Sequence, residues 1–134
     1  MLFDFDLVIP AHTLQSDPME QIINLTRGNL VEIRVMFPPG PATLVHVVVR
    51  DRLHQLMPAN QDGTLNFDEQ IISSRLSHEM RDAPYELRIL GWSPNAVYDH
   101  IITCQFDMEP GRGDNWDDFN RVLFALNSQT EKRR

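Results

Sequence analysis

The stretch "RVMFPPGPATLVHVVVRD" (residues 34–51) gives the clearest indication of the fold of this chain. Both of its ends show the period of two that is typical of β-strands with one buried face. Between them lies the loop "PPGPAT", in which Pro38, Pro39 and Pro41 each fix φ and lack an N–H donor. The stretch therefore predicts two strands joined by a stiff connection. Two roles stay open for this connection: a contact surface for a partner, or a rigid crossover between two sheets.

The same period recurs along most of the chain. At the start, Phe3, Phe5, Leu7 and Ile9 alternate with residues that are mostly acidic. Residues 19–26, 85–92 and 97–108 also indicate strands, and turn residues separate them. Residues 71–80 have an apolar spacing that fits a helix face, but the β-prone pair Ile71-Ile72 favours a strand. About seven short strands without an intervening helix predict an all-β, antiparallel β-sandwich of jelly-roll or immunoglobulin-like type.

The strand after the proline loop is apolar on both faces. Val45, Val47 and Val49 point one way, and the other face carries Leu44, His46 and Val48. This pattern is typical of a central strand, or of a strand whose outer face is covered by a partner. We therefore predict that Leu44, His46 and Val48 form a protein interface together with the three prolines of the loop.

The composition changes after Met108, which predicts a β-sandwich domain over residues 1–108. Residues 109–115, "EPGRGDN", are interpreted as a linker, residues 116–127 as a short C-terminal amphipathic helix, and residues 128–134 as a polar tail. One face of the predicted helix carries an apolar stripe at spacings of three, four and three residues: Trp116, Phe119, Leu123 and Leu126. So short a helix is marginal alone in water, so the stripe is expected to dock, either on its own sandwich or on a neighbouring subunit. We predict the neighbouring subunit.

Composition and charge limit the classes of function that this chain can have. The chain has 134 residues, of which 42% are hydrophobic, and a net charge of -7, which argues against nucleic-acid binding. Its apolar runs are far shorter than the ~20 residues needed to span a bilayer, so we expect no membrane partner. The start, "MLFDFDLVIP", lacks the basic n-region of a secretory signal, and the single cysteine, Cys104, cannot form an internal disulfide. These features predict a protein made and folded in a reducing cytoplasm.

No pattern in the sequence indicates catalytic chemistry. The five histidines do not form the i, i+4 helical pair of zinc sites, and Cys104 has no CxxC partner. We therefore expect no catalytic, cofactor-binding or metal-binding site, and no enzymatic activity. The alternative function is carbohydrate binding, because sugar-binding sandwiches stack aromatic rings on sugar faces. Trp92 and Tyr98, which lie six residues apart in "GWSPNAVYDH", are the candidate residues for it.

Four motifs, "FPPGPATLVHVVV", "HQLMPAN", "PYELRILGW" and "YDHIIT", resemble those of small β-sandwich proteins encoded in phage and phage-like genomes. The resemblance covers residues 3–108 and leaves the C-terminal segment outside. It implies a virion-associated structural protein, for example a capsid-decorating one, that is made in the host cytoplasm and acts through protein–protein contacts. Localisation in the virion is expected, with the cytoplasm as the alternative. The expected partners are copies of the chain itself, as a trimer or larger ring, and a larger assembly such as a capsid.

Overall fold

The computed structural model describes residues 1–110, which form two sheets of four antiparallel strands each. In chain order the eight strands are β1 (Leu2–Ile9), β2 (Met19–Asn24), β3 (Gly28–Phe37), β4 (His46–Asp51), β5 (His54–Met57), β6 (Gln70–Met80), β7 (Glu86–Trp92) and β8 (His100–Glu109). Across residues 1–110 there is no helix with the length and apolarity to cross a membrane.

The strand order of the two sheets follows a nested scheme. The first sheet has the order β1-β8-β3-β6 and the second has the order β2-β7-β4-β5. The chain therefore pairs its first strand with its last, its second with its seventh, its third with its sixth and its fourth with its fifth. Only the β4–β5 hairpin stays within one sheet. Every other connection between described strands crosses from one sheet to the other.

The two sheets share one hydrophobic core. Leu7, Ile33 and Phe106 from the first sheet and Val47 and Leu87 from the second have no exposed surface and belong to the same cluster. Side chains alternate along a strand, so each strand turns one face to this core and the other away from it. The structure confirms the predicted all-β, antiparallel sandwich, and it confirms a strand at β6, where the apolar spacing alone was ambiguous.

Several element boundaries differ from the prediction. There are eight strands rather than about seven. The last strand begins at His100, three residues later than predicted, and it continues to Glu109 because that residue pairs with Asn29 of β3. Alternation with Ile33, Val35 and Phe37 predicts a core position for Val31, but a register shift in β3 between Leu30 and Glu32 places Leu30 in the core and leaves Val31 half-buried. The predicted helix over 116–127, the tail over 128–134 and linker residues 111–115 lie outside the described residues.

Candidate functional site

The proline loop joins β3 of the first sheet to β4 of the second, so it is a crossover between the sheets. The carboxylate of Asp68 fixes its shape. Its Oδ1 accepts hydrogen bonds from the backbone N–H of Gly40 at 2.9 Å and of Ala42 at 2.8 Å. The N–H of Glu69 also donates to the carbonyl of Pro38 at 3.2 Å. The loop is therefore held on the segment that leads into β6.

The loop turns its three prolines in different directions. Pro41 is buried, Pro38 is half-buried and Pro39 is exposed, while Leu44 at the end of the loop is 38% exposed. Ala42 and Thr43 have φ values of 48° and 65°, a conformation that residues other than glycine seldom adopt. The loop thus works as a crossover and also presents Pro38 and Pro39 at the surface, so the two roles left open by the sequence are compatible.

Beside this loop, the outer face of the first sheet carries exposed apolar side chains. Val8 is 45% exposed, Ile101 is 53% exposed and Ile71 is 65% exposed. Val8 pairs directly with Ile101 across β1 and β8, and Ile71 pairs with the half-buried Met36 across β6 and β3. With the half-buried Pro38 and the exposed Pro39 these residues form one surface, the apolar patch, made of Val8, Met36, Pro38, Pro39, Ile71 and Ile101.

A groove lies in the part of the apolar patch next to the proline loop. It measures about 490 Å³ and lies between the proline loop and the beginning of β8. Its lining includes Pro38, Pro39, Met36 and Ile101, with Asp99 and His100 at its polar side. A shallow groove of this kind, with mostly hydrophobic walls, can receive an apolar side chain of a partner.

The middle of the same outer face is polar and separates the apolar patch from the exposed Leu2 at the other end of β1. The amide of Gln105 donates to Asp4 Oδ1 at 3.3 Å, and Arg34 Nε donates to Gln105 Oε1 at 3.1 Å. Arg34 also forms an ion pair with Glu32 at 3.2 Å. These side chains satisfy one another across β1, β8 and β3, whereas the apolar patch has no such partners among the described residues.

The outer face of β4 in the second sheet is covered by the chain itself. Val48 is only 1% exposed, so it is not available to a partner, contrary to the interface predicted for it. The segment between β5 and β6 folds over this face: the amide of Gln55 lies 2.8–3.2 Å from three of its carbonyl oxygens, and Thr64 Oγ1 is 3.0 Å from His46 Nδ1. Burial lowers the pKa of His46 below its ordinary value of 6.5. The apolar second face of β4 thus reflects a central strand covered from within.

The two aromatic residues proposed for sugar binding lie in different surroundings. The ring of Trp92 stacks on the ring of His46, with centroids 5.8 Å apart and an angle of 11° between the planes, and Trp92 is 8% exposed. Tyr98 lies in the connection between β7 and β8 and is 73% exposed. Only Tyr98 presents a ring face that a sugar could cover, because one face of Trp92 is occupied by the imidazole. Sugar binding stays a prediction.

A polar cluster lies at the edge of the sandwich where β6 approaches the β4–β5 hairpin. His78 Nε2 is 2.6 Å from Asp51 Oδ2, and the His54 ring stacks on the His78 ring at 6.2 Å. A neighbouring cavity of about 190 Å³ is lined by no Ser, Thr, Cys or Lys that could act as a nucleophile. Within residues 1–110 no three His, Cys, Asp or Glu side chains are grouped so that they could hold a metal ion. Cys104 lies elsewhere, in the core, where burial above all raises its pKa to about 12.

The sequence contains a signal for the apolar patch that period-two reasoning passed over. Each strand of the first sheet carries an apolar doublet, at positions 8–9, 36–37, 71–72 and 101–102. Because side chains alternate, one member of each doublet enters the core and the other must point outwards. The outward members are Val8, Met36, Ile71 and Ile101, and the strand register brings them to the same end of one sheet.

The chain matches no protein-family model and no curated protein sequence. The functional proposal therefore rests on the geometry of the apolar patch, on the strand order and on the resemblance of the four motifs.

Proposed function

We propose that this chain is a non-enzymatic structural protein that assembles with copies of itself into a larger protein particle, such as a virus-like particle. The apolar patch is the observation that supports this proposal. Single exposed apolar residues are ordinary on protein surfaces, but a contiguous group of them beside a groove is typical of a protein–protein interface. Three of its members, Val8, Ile71 and Ile101, are each between 45% and 65% exposed.

The stiffness of the proline loop favours binding at this surface. Binding costs free energy when a mobile segment must be ordered, and a loop that already has its bound shape avoids that cost. Pro38 and Pro39 have fixed φ values, and Asp68 holds the backbone on either side of Pro41 through two hydrogen bonds. The exposed edge of the loop is thus a rigid wall of the groove.

The strand order is consistent with this class of protein. Nested pairing of eight strands in two four-stranded sheets is the order of a jelly roll, an architecture that viral capsid domains and lectin domains share. Because one fold serves many functions, this order supports the proposal only together with the patch and with the resemblance to small phage proteins. Carbohydrate binding is an alternative function that the same strand order would allow. It has weaker support, because Trp92 is only 8% exposed.

The test is self-association of the full chain and of one patch variant. Sedimentation velocity or light scattering across micromolar concentrations should show oligomers of the wild-type chain. Ile101→Lys places a charge in the centre of the patch and should weaken association about tenfold or more. Leu53→Lys is the matched control, because Leu53 is 90% exposed in the β4–β5 hairpin, outside the patch. A wild-type monomer, or equal losses in the two variants, would contradict the proposal.

A further inference from the structure

We infer that the apolar patch of one copy binds the apolar stripe of a neighbouring copy, head to tail. The stripe consists of Trp116, Phe119, Leu123 and Leu126, whose spacing predicts one face of a helix. This inference rests on the proposed self-assembly, and it identifies the two surfaces through which the copies would bind each other. It assigns one occupant to the patch: a segment of the same polypeptide, supplied by a second molecule.

The dimensions of the two surfaces agree. A helix rises 1.5 Å per residue, so the stripe from Trp116 to Leu126 would be about 15 Å long. The apolar patch extends across the four neighbouring strands β1, β8, β3 and β6. Three spacings of about 4.8 Å between neighbouring strands give a width of about 14 Å. A helix that crosses the strands would therefore lay its stripe along the whole patch and could place one aromatic ring in the groove.

The position at which the described chain ends favours a neighbouring copy over docking on the same molecule. Strand β8 carries Ile101 at one end and Glu109 at the other, and eight residues of extended chain span about 27 Å. Seven residue steps separate Glu109 from Trp116 in the sequence, and a flexible chain of that length would span about 15 Å on average and at most about 25 Å when fully extended. Docking of the stripe on its own molecule would therefore need an almost fully extended connection, with the entropy cost of ordering it, whereas the patch of a neighbouring copy sets no such requirement.

Charge supports the same pairing. The outer face of the first sheet carries Asp4 and Asp6 next to the patch, and Asp99 lines the groove. The residues after the stripe include the basic run Lys132, Arg133 and Arg134 in a chain whose net charge is -7. A stripe bound to the patch would bring this basic run to the acidic face of the neighbour, which reduces the repulsion between two acidic copies.

Contact between two different surfaces makes a heterologous interface, which either closes into a ring or continues as a filament. The experiment uses two full-length variants that each lack one of these surfaces. Ile101→Lys removes the patch but keeps the stripe, and the double variant Phe119→Asp/Leu123→Asp removes the stripe but keeps the patch. Each variant alone should be mainly monomeric by sedimentation velocity at a concentration at which the wild-type chain assembles. Their equimolar mixture should form a 1:1 dimer and nothing larger, because only one functional contact remains.

A second measurement tests the contact without relying on oligomer formation. A fluorescein-labelled peptide of residues 111–134 should bind to the stripe-defective chain and give a rise in anisotropy, and it should not bind to the same chain carrying Ile101→Lys. If the wild-type chain assembles but neither the mixture nor the peptide binds, the pairing of patch and stripe is wrong and self-assembly stands. If the wild-type chain is a monomer and the peptide does not bind, the proposed function is wrong as well. A monomer whose stripe cross-links to its own patch would overturn the inference in favour of docking within one molecule.

Discussion

The imidazole of His78 donates a hydrogen bond of 2.6 Å from Nε2 to Oδ2 of Asp51, and this bond joins β6 of the first sheet to β4 of the second. Both side chains are largely buried, with 22% and 15% of their surface exposed. The core holds the two sheets together over their facing surfaces, whereas this bond fastens them at one edge. A polar contact between residues 27 positions apart in the sequence thus connects the two sheets in addition to the hydrophobic core.

Removal of the carboxylate at this edge should destabilise the fold. A hydrogen bond to a charged group contributes about 1.5–3 kcal/mol, so Asp51→Asn is expected to lower the free energy of unfolding by about 1–3 kcal/mol. Urea denaturation followed by circular dichroism measures the change. Asp82→Asn, at a nearby exposed carboxylate, is the control and should change stability little. A loss of the same size in both variants would mean that general charge, not the bond to His78, is responsible.

Gly91 should not tolerate a side chain. A Cβ atom at this position would lie 2.8 Å from Cγ1 of Ile9 and closer still to its Cδ1. Overpacking of this kind costs about 1–3 kcal/mol, so Gly91→Ala should reduce the urea midpoint accordingly. Ile9→Val removes the nearest atom, and the double variant should therefore lose less stability than the two single losses added together. Simple additivity would show that the two positions do not meet in the core.

The burial of His46 makes stability depend on pH. Its pKa in the folded protein lies below the unfolded value of about 6.5, so the unfolded chain takes up a proton first as the pH falls. The contribution of neutral His46 to the free energy of unfolding is fully present above pH 6.5. It is lost as the pH falls from 6.5 to the lower pKa of His46 in the folded state. The difference in Tm between the wild-type chain and His46→Gln should therefore shrink between pH 7.5 and pH 5. His12→Gln, at an exposed histidine, controls for the loss of a histidine in general.

Cys104 should be unreactive in the folded protein. Its side chain is fully buried in β8, and burial, with smaller contributions from Asp6 and Asp4, raises its pKa to about 12. The thiolate is the reactive form, so labelling by a thiol reagent at pH 8 should be at least about 100-fold slower in buffer than in denaturing urea. Equal rates under the two conditions would place the thiol outside the core.

The carboxylate of Asp68 should control the proline loop. Asp68→Ala removes the acceptor for the N–H groups of Gly40 and Ala42 and is expected to cost about 1–3 kcal/mol of stability. Asp68→Asn keeps one acceptor oxygen and should recover part of this loss. If the loop forms one wall of the binding groove as proposed, Asp68→Ala should also weaken self-association. This loss should be larger than the loss that its reduced folding stability alone would cause. Unchanged association would exclude the loop from the interface.

Period-two alternation was enough to determine the sandwich and much of its core. The spacing alone predicts a buried face for Phe5, Leu7 and Ile9 on β1 and for Val47 and Val49 on β4, and the structure confirms those faces. The prediction of buried faces succeeds because alternation is a local property. Once a segment is extended, the residues at alternate positions along it decide which face is apolar. The loop residues Pro38, Pro39 and Pro41 were likewise recognised as a stiff connection from their covalent structure.

Strand order, register and the occupant of each outer face were decided only by the tertiary structure. Val48 looked like surface available to a partner, but the segment between β5 and β6 covers it, and no local pattern records which segment returns over which face. Val8 and Ile71 are the outward members of apolar doublets, and the doublets alone do not show that the two residues meet. They belong to the same surface only because β1 pairs with β8 and β6 pairs with β3, with Met36 and Ile101 between them. The sequence thus determined most of the residues that the strands turn inwards, through local sterics and alternation, although the register shift in β3 places Leu30 rather than Val31 in the core. Long-range pairing decided which outward residues meet, since register depends on contacts between distant segments.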